Sequence, residues 1–253
     1  MTKPIGYCCF ERLAFAWLLL LLAACSGPNS NGTSVLSQIS VGESMLGYGD
    51  YDKAYTLLDQ IAAKNPRSTV AALGLGDAYF RQGADLKAAA YYQKAVDLGA
   101  RTEGWLGLAR VELARNNPTG AKSYLQEILR AAPRNIEALN AMGVANDLEG
   151  HHGIAQQFYQ SVLAYAPSNR DALNNYALSL SLQGRAGEAY SLIAELFRSN
   201  QNDAVIRQNL ALVQYLAGDH QRAMYTALID LPEPEAKANF AQISGLGQVH
   251  KGP

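Results

Sequence analysis

A period of about 34 residues runs through this chain from Val35 onward, and it limits the possible folds more than any other feature. Small residues recur at Gly42, Gly76, Ala109, Gly143, Ala177 and Ala211, at spacings of 34, 33, 34, 34 and 34. A second small series follows 12 residues later in each unit: Ala54, Ala88, Ala121, Ala155, Ala189 and Ala223. Between them stands a turn residue, Gly49, Gly83, Asn116, Gly150, Gly184 or Gly218, and Pro66, Pro133 and Pro167 close three units. Three series with one period predict six units, at 35–68, 69–101, 102–135, 136–169, 170–203 and 204–237.

Each unit reads as two helices joined by a tight turn. Glycine at the turn supplies backbone conformations that other residues resist, and proline after the second helix stops it. The two small series are expected to face each other, with Tyr92, Leu125 and Tyr159 filling the space beside them and Trp105 at the large apolar position of the third unit. One unit cannot bury its own apolar faces, so stacking must stabilise the array. The pattern resembles the tetratricopeptide repeat (TPR) family. That resemblance implies an all-α superhelical solenoid used for protein–protein contact, with no catalytic residues. The first unit departs from the pattern in its polar early positions, Gln38 and Ser40, and the sixth places Asp230 where a small apolar residue is usual. Pro232 and Pro234 end that unit. Residues 238–253 read as a closing segment and tail, with a short helix from Glu235 to Ile243 and disorder from Gly245 to Pro253.

Residues 1–24 do not belong to the array. Lys3 and Arg12 precede an apolar run from Leu13 to Ala24, too short to span a bilayer, which needs about 20 residues. The run reads as a secretory signal peptide. Leu22-Ala23-Ala24-Cys25 resembles the lipobox of bacterial lipoproteins. The resemblance implies diacylglycerol on the Cys25 thiol, cleavage before it and acylation of the new amino group. Cys8 and Cys9 leave with the signal, so the mature chain retains one cysteine, itself acylated, and forms no internal disulfide. Ser26 at the second mature position favours, by resemblance, passage to the outer membrane over retention at the inner one. Residues 25–34 then read as the lipidated cysteine and a flexible tether, of which nine residues span about 30 Å at full extension.

Net charge is −1, which gives no basic excess for neutralising phosphates and argues against nucleic acid as the main partner. No catalytic constellation stands out. Gly74-Leu75-Gly76 lacks the third glycine and the preceding strand of a nucleotide loop. His151-His152 follow the Gly150 turn and read as a solvated turn rather than a metal site. Tyr91, Tyr92, Tyr159 and Tyr176 fall at or beside packing positions. No metal and no cofactor is expected apart from the lipid on Cys25.

The surface that invites a partner is the first helix of each unit. Its fifth positions read Ile39, Leu73, Leu106, Asn140, Asn174 and Gln208. The last three form a ladder of carboxamides with Asn175 and Asn209 beside it, and carboxamides both donate and accept hydrogen bonds. Such a row suits the backbone of an extended peptide; a purely structural role, bonding to neighbouring helices or water, is the alternative. Leu73, Leu106, Ile39, Phe80 and Leu113 offer apolar contact. The lysines and arginines that clamp a C-terminal carboxylate in some arrays are not evident at these positions, which disfavours chaperone-tail binding.

Four segments narrow the resemblance: GVANDLEG at Gly143–Gly150, LNNYALSLSLQG at Leu173–Gly184, IRQNLALVQYLAG at Ile206–Gly218 and DLPEPEAKANF at Asp230–Phe240. In this order, behind a lipobox, they resemble the TadD family of tight-adherence (Tad, Flp pilus) assembly lipoproteins. The IRQNLAL stretch followed by the DLP closing segment is the more specific part. The resemblance implies an outer-membrane lipoprotein on the periplasmic side that aids assembly of the Flp pilus secretion machine, with a pilotin-like action on the secretin or another pilus component. A type IV pilus pilotin and a general envelope scaffold recruiting cell-wall or polysaccharide machinery are the alternatives.

Overall fold

The computed structural model describes the backbone of residues 30–249 and the side chains of residues 34–241. The segment read as a signal peptide, Cys25 and most of the segment read as a tether lie outside the described residues. Thirteen helices and no strand are present among the described residues. They divide into two compact units, the first ending at Pro133 and the second beginning at Arg134.

The first unit holds three helical hairpins: α1 (Ser30–Gly47) with α2 (Tyr51–Lys64), α3 (Thr69–Arg81) with α4 (Asp85–Asp97), and α5 (Arg101–Ala114) with α6 (Pro118–Ala131). Helix α3 is started by Ser68, whose hydroxyl accepts from the Ala71 amide, and α6 by Asn117 with Pro118 at its first position. The core runs through Ile39, Leu58, Ile61, Leu75, Tyr79 and Tyr92. Trp105 is half-buried against it.

The second unit repeats the scheme with α7 (Ile136–Leu148) and α8 (His152–Tyr165), α9 (Arg170–Leu182) and α10 (Ala186–Ser199), and α11 (Ala204–Leu216) and α12 (His220–Ala227). Asn135, Asn169 and Asp203 cap the first helix of each hairpin through their side chains, a contribution of about 1 kcal/mol apiece. Helix α13 (Glu233–Val249) ends the array. Its Ala236 and Phe240 pack on Ala211, Ala223 and Ala227, and the Phe240 ring stacks on Tyr215 at 4.6 Å.

All six turns between paired helices place the expected residue at positive φ. Asn116, at φ 57°, is the one residue other than glycine to do so among the described residues; its short polar side chain tolerates that region. The nine alanines of the two small series are buried, each at most 1% exposed. The expected contact between the two series is corrected in part. A Cβ added at Gly76 would lie 2.7 Å from the Tyr92 ring, and one at Gly143 would fall inside contact distance of the Tyr159 ring. The glycines therefore make room for an aromatic ring of the second helix.

The ends also differ from expectation. Helix α1 begins at Ser30, within the segment read as tether, and α13 continues to Val249, into the segment read as disordered. Gly, Asn and Ser cost a helix at most about 1 kcal/mol each. Extending a nucleated helix is far easier than starting one. Val35, Ile39 and Leu46 anchor α1 in the core, as Ala236 and Phe240 anchor α13.

Candidate functional site

The five carboxamides lie on α7, α9 and α11, and all but one join in a single hydrogen-bonded chain. Asn209 Nδ2 donates to Asn174 Oδ1 at 2.8 Å, Asn174 Nδ2 to Asn175 Oδ1 at 3.4 Å, and Asn175 Nδ2 to Asn140 Oδ1 at 3.3 Å. The chain ties the first helices of three successive hairpins together. Asn140, Asn174 and Asn175 are half-buried, so each keeps polar capacity toward solvent, whereas Asn209 is 8% exposed. A primary amide has two N–H donors and two carbonyl lone pairs, and the chain uses at most part of each set. Val144 and Leu148 follow Asn140 at four-residue steps, Leu182 lies eight residues after Asn174, and all three are partly exposed, while Leu178, between Asn174 and Leu182 on α9, is buried. An amide edge thus runs beside an apolar stripe.

Gln208 does not join them, which corrects the ladder as expected from sequence. It is 7% exposed and its Nε2 donates to the Ala227 carbonyl at 3.1 Å and to Asp230 Oδ2 at 2.8 Å. Arg207 grips the same carboxylate with its guanidinium fork, through Nε at 2.7 Å and through Nη2. Burial works to raise the Asp230 pKa, but the hydrogen bonds from Arg207 and Gln208 outweigh it and hold the carboxyl below its ordinary range. Asp230 is therefore no defect in the sixth unit. It is the acceptor that fastens α11 to the end of α12, and Arg207-Gln208 and Asp230 are the two halves of one clasp.

In the first unit the apolar candidates separate. Ile39 and Leu113 are closed into the core, while Leu73, Leu106 and Phe80 stay half-exposed. Two arginines that the sequence reading passed over stand on the first helices here. Arg81 pairs with Glu43, and Arg110 Nη2 meets Asp77 Oδ1 at 2.6 Å while lying over the Phe80 and Tyr92 rings. Cations are present at this surface, already neutralised by carboxylates of the preceding first helix.

His152 is not the solvated turn residue expected. Its side chain is 15% exposed, and Nδ1 lies 2.8 Å from Asp147 Oδ1. The same carboxylate, 1% exposed, accepts from Tyr159 at 2.9 Å and from Ser179 at 2.7 Å. Serine, histidine and aspartate converge, but the serine bonds the aspartate and not the imidazole, so no hydroxyl is activated as a nucleophile. The cluster is a polar knot joining α7, α8 and α9. Its partners are 5, 12 and 32 residues from Asp147, and no local pattern reveals them. His151 remains exposed beside Glu149 at 3.2 Å. No group of three or more metal-ligating side chains occurs among the described residues.

Comparison with known proteins agrees with this architecture. Tetratricopeptide-repeat profiles match residues 44–101 and 102–145. No curated protein matches the sequence. Among solved structures, a thermophilic TPR protein from Thermus thermophilus superposes with a TM-score of 0.61 at 20% identity, covering 72% of this chain and 99% of that one. PilW, described as a widely conserved type IV pilus biogenesis factor, superposes with a TM-score of 0.60 at 18% identity over 86% of this chain and 99% of its own. A TPR protein from Parabacteroides merdae gives 0.57 at 20% identity, over 77% of each chain. At these identities the likeness is one of fold.

Proposed function

We propose that this chain, a tetratricopeptide-repeat protein and a scaffold for protein partners, is a lipid-anchored assembly factor of the outer membrane that assists a Tad/Flp pilus machine. The observation that carries the reading is a conjunction in one chain. A lipobox at Leu22–Cys25 precedes a repeat array whose end carries the IRQNLAL and DLP segments. The partner class is a secretin or another pilus component. The working surface is the amide edge of Asn140, Asn174 and Asn175 with the apolar stripe beside it. A type IV pilus role is the second reading, favoured by the fold shared with PilW over 99% of that protein's length.

The test has two parts. Labelled palmitate should enter the wild-type protein and not Cys25→Ser, and only the wild type should fractionate with the outer membrane. The purified protein should capture secretin from its own pilus system, and cells carrying Cys25→Ser should lose surface pili. Outer-membrane fractionation without palmitate would reject the anchor. Normal piliation in a strain lacking the protein would reject the pilus role.

A further inference from the structure

The first unit has two edges of unlike charge. Its successive helices alternate in direction, so α1, α3 and α5 all start at one edge and end at the other. The starting edge carries Lys64 in the last turn of α2, Arg67 in the following loop, Lys94 in the last turn of α4 and Arg101 at the start of α5. None of these four pairs with a carboxylate among the described residues, and Lys64, Arg67 and Arg101 are exposed. A fifth cation there, Arg130, is bonded to Glu127, and the other acids on this edge are Asp97 and Glu103. The opposite edge differs. Lys53 pairs with Asp50, Arg81 with Glu43 and Arg115 with Glu112, and Lys87 lies over the Tyr55 and Tyr79 rings. Uncommitted positive charge is thus confined to one edge.

That edge is also where the chain enters. Helix α1 starts at Ser30, five residues before Val35, so it projects about 7 Å past the start of its unit. Ser30 lies only five positions after Cys25, a reach of about 18 Å at most. An anchor on Cys25 holds this edge close to the bilayer. Guanidinium groups match phosphate oxygens in geometry as well as charge.

We infer that the edge bearing Lys64, Arg67, Lys94 and Arg101 seats on anionic phospholipid headgroups and sets the orientation of the first unit on the membrane. The inference rests on the Cys25 anchor for proximity, while the affinity of the edge for anionic lipid is its own. The experiment uses the lipidated full-length protein on vesicles of phosphatidylglycerol or of phosphatidylcholine. A fluorophore is placed through Ala63→Cys on the starting edge or Gln82→Cys on the opposite one, with acceptors on the lipid headgroups. On phosphatidylglycerol, energy transfer should be strong from position 63 and weak from position 82; on phosphatidylcholine, where the tether alone keeps the starting edge nearer, the gap should be much smaller. Arg67→Glu with Arg101→Glu should narrow the gap on phosphatidylglycerol to that on phosphatidylcholine and weaken vesicle binding by about tenfold or more. Lys87→Glu with Arg115→Glu should change neither. Raised salt should mimic the double reversal. A gap of equal size on both lipids, or one that the double reversal leaves unchanged, overturns the inference. The anchor is judged separately: protein that binds phosphatidylglycerol alone, and only at low salt, lacks the anchor but has the basic edge. Protein that floats with neither lipid overturns both.

Discussion

At the scale of single residues, two of the small positions on first helices are glycine because an aromatic ring sixteen places later fills the space of a Cβ. Gly76 and Gly143 oppose Tyr92 and Tyr159, whereas Gly42 opposes Leu58. Position was legible in the period, but the choice between glycine and alanine was not, because it depends on a volume across the hairpin. Two substitutions of one chemistry should therefore act with opposite sign. Gly143→Ala drives a methyl into the Tyr159 ring and should cost about 1–3 kcal/mol. Gly187→Ala, in α10 with nothing within 4 Å of the new Cβ, should add about 0.5–1 kcal/mol through helix propensity. Urea denaturation of both variants beside the wild type checks the pair. A destabilised Gly187→Ala, or a neutral Gly143→Ala, would refute the packing account.

Between elements, two carboxylates fasten what the apolar repeat leaves loose, and neither was legible. The alternation of small and large residues reports buried apolar faces, but an acid that is satisfied by distant donors looks like any surface acid. Asp147 gathers His152, Tyr159 and Ser179 from three helices. Removing the acceptor strands buried donors, so Asp147→Ala should cost about 3 kcal/mol or more in chemical denaturation; a loss under about 1 kcal/mol would show that the knot is not needed. Asp230 behaves differently because its pKa is held down. The folded state then binds the carboxylate's proton less readily than the unfolded chain, so the clasp contributes fully above the unfolded carboxyl range near pH 4 and fades as pH falls through the lower folded value. Asp230→Asn should destabilise the protein by about 1.5–3 kcal/mol at neutral pH. The gap between variant and wild type should shrink on acidification below about pH 4. A gap that stays constant down to pH 2 would mean that the charge of Asp230 contributes nothing.

For the whole molecule, the period was enough to give six hairpins, three in each unit, since a 34-residue repeat with small, turn and stop residues in fixed places admits few other folds. The surface was harder to read, because equivalent positions on successive helices acquire different neighbours. Asn140, Asn174 and Gln208 share one repeat position, yet the first two stay at the amide edge and the third is drawn into the end clasp. This split separates binding from stability. Changing Asn140, Asn174 and Asn175 together to alanine removes half-exposed amides whose places water can take, so helicity should hold and stability should fall by less than about 2 kcal/mol. If the edge holds a partner's backbone, each lost amide weakens capture by about 0.5–1.5 kcal/mol, and the triple change should reduce secretin capture by tenfold or more. Gln208→Ala should do the reverse, costing about 1–2 kcal/mol of stability through Asp230 and the Ala227 carbonyl while partner capture stays near wild type at temperatures where the protein is folded. The measurements are circular dichroism melts and capture of the pilus component by each purified variant. A triple mutant that captures its partner as well as wild type would move the search from the amide edge to the half-exposed Leu73, Phe80 and Leu106 of the first unit.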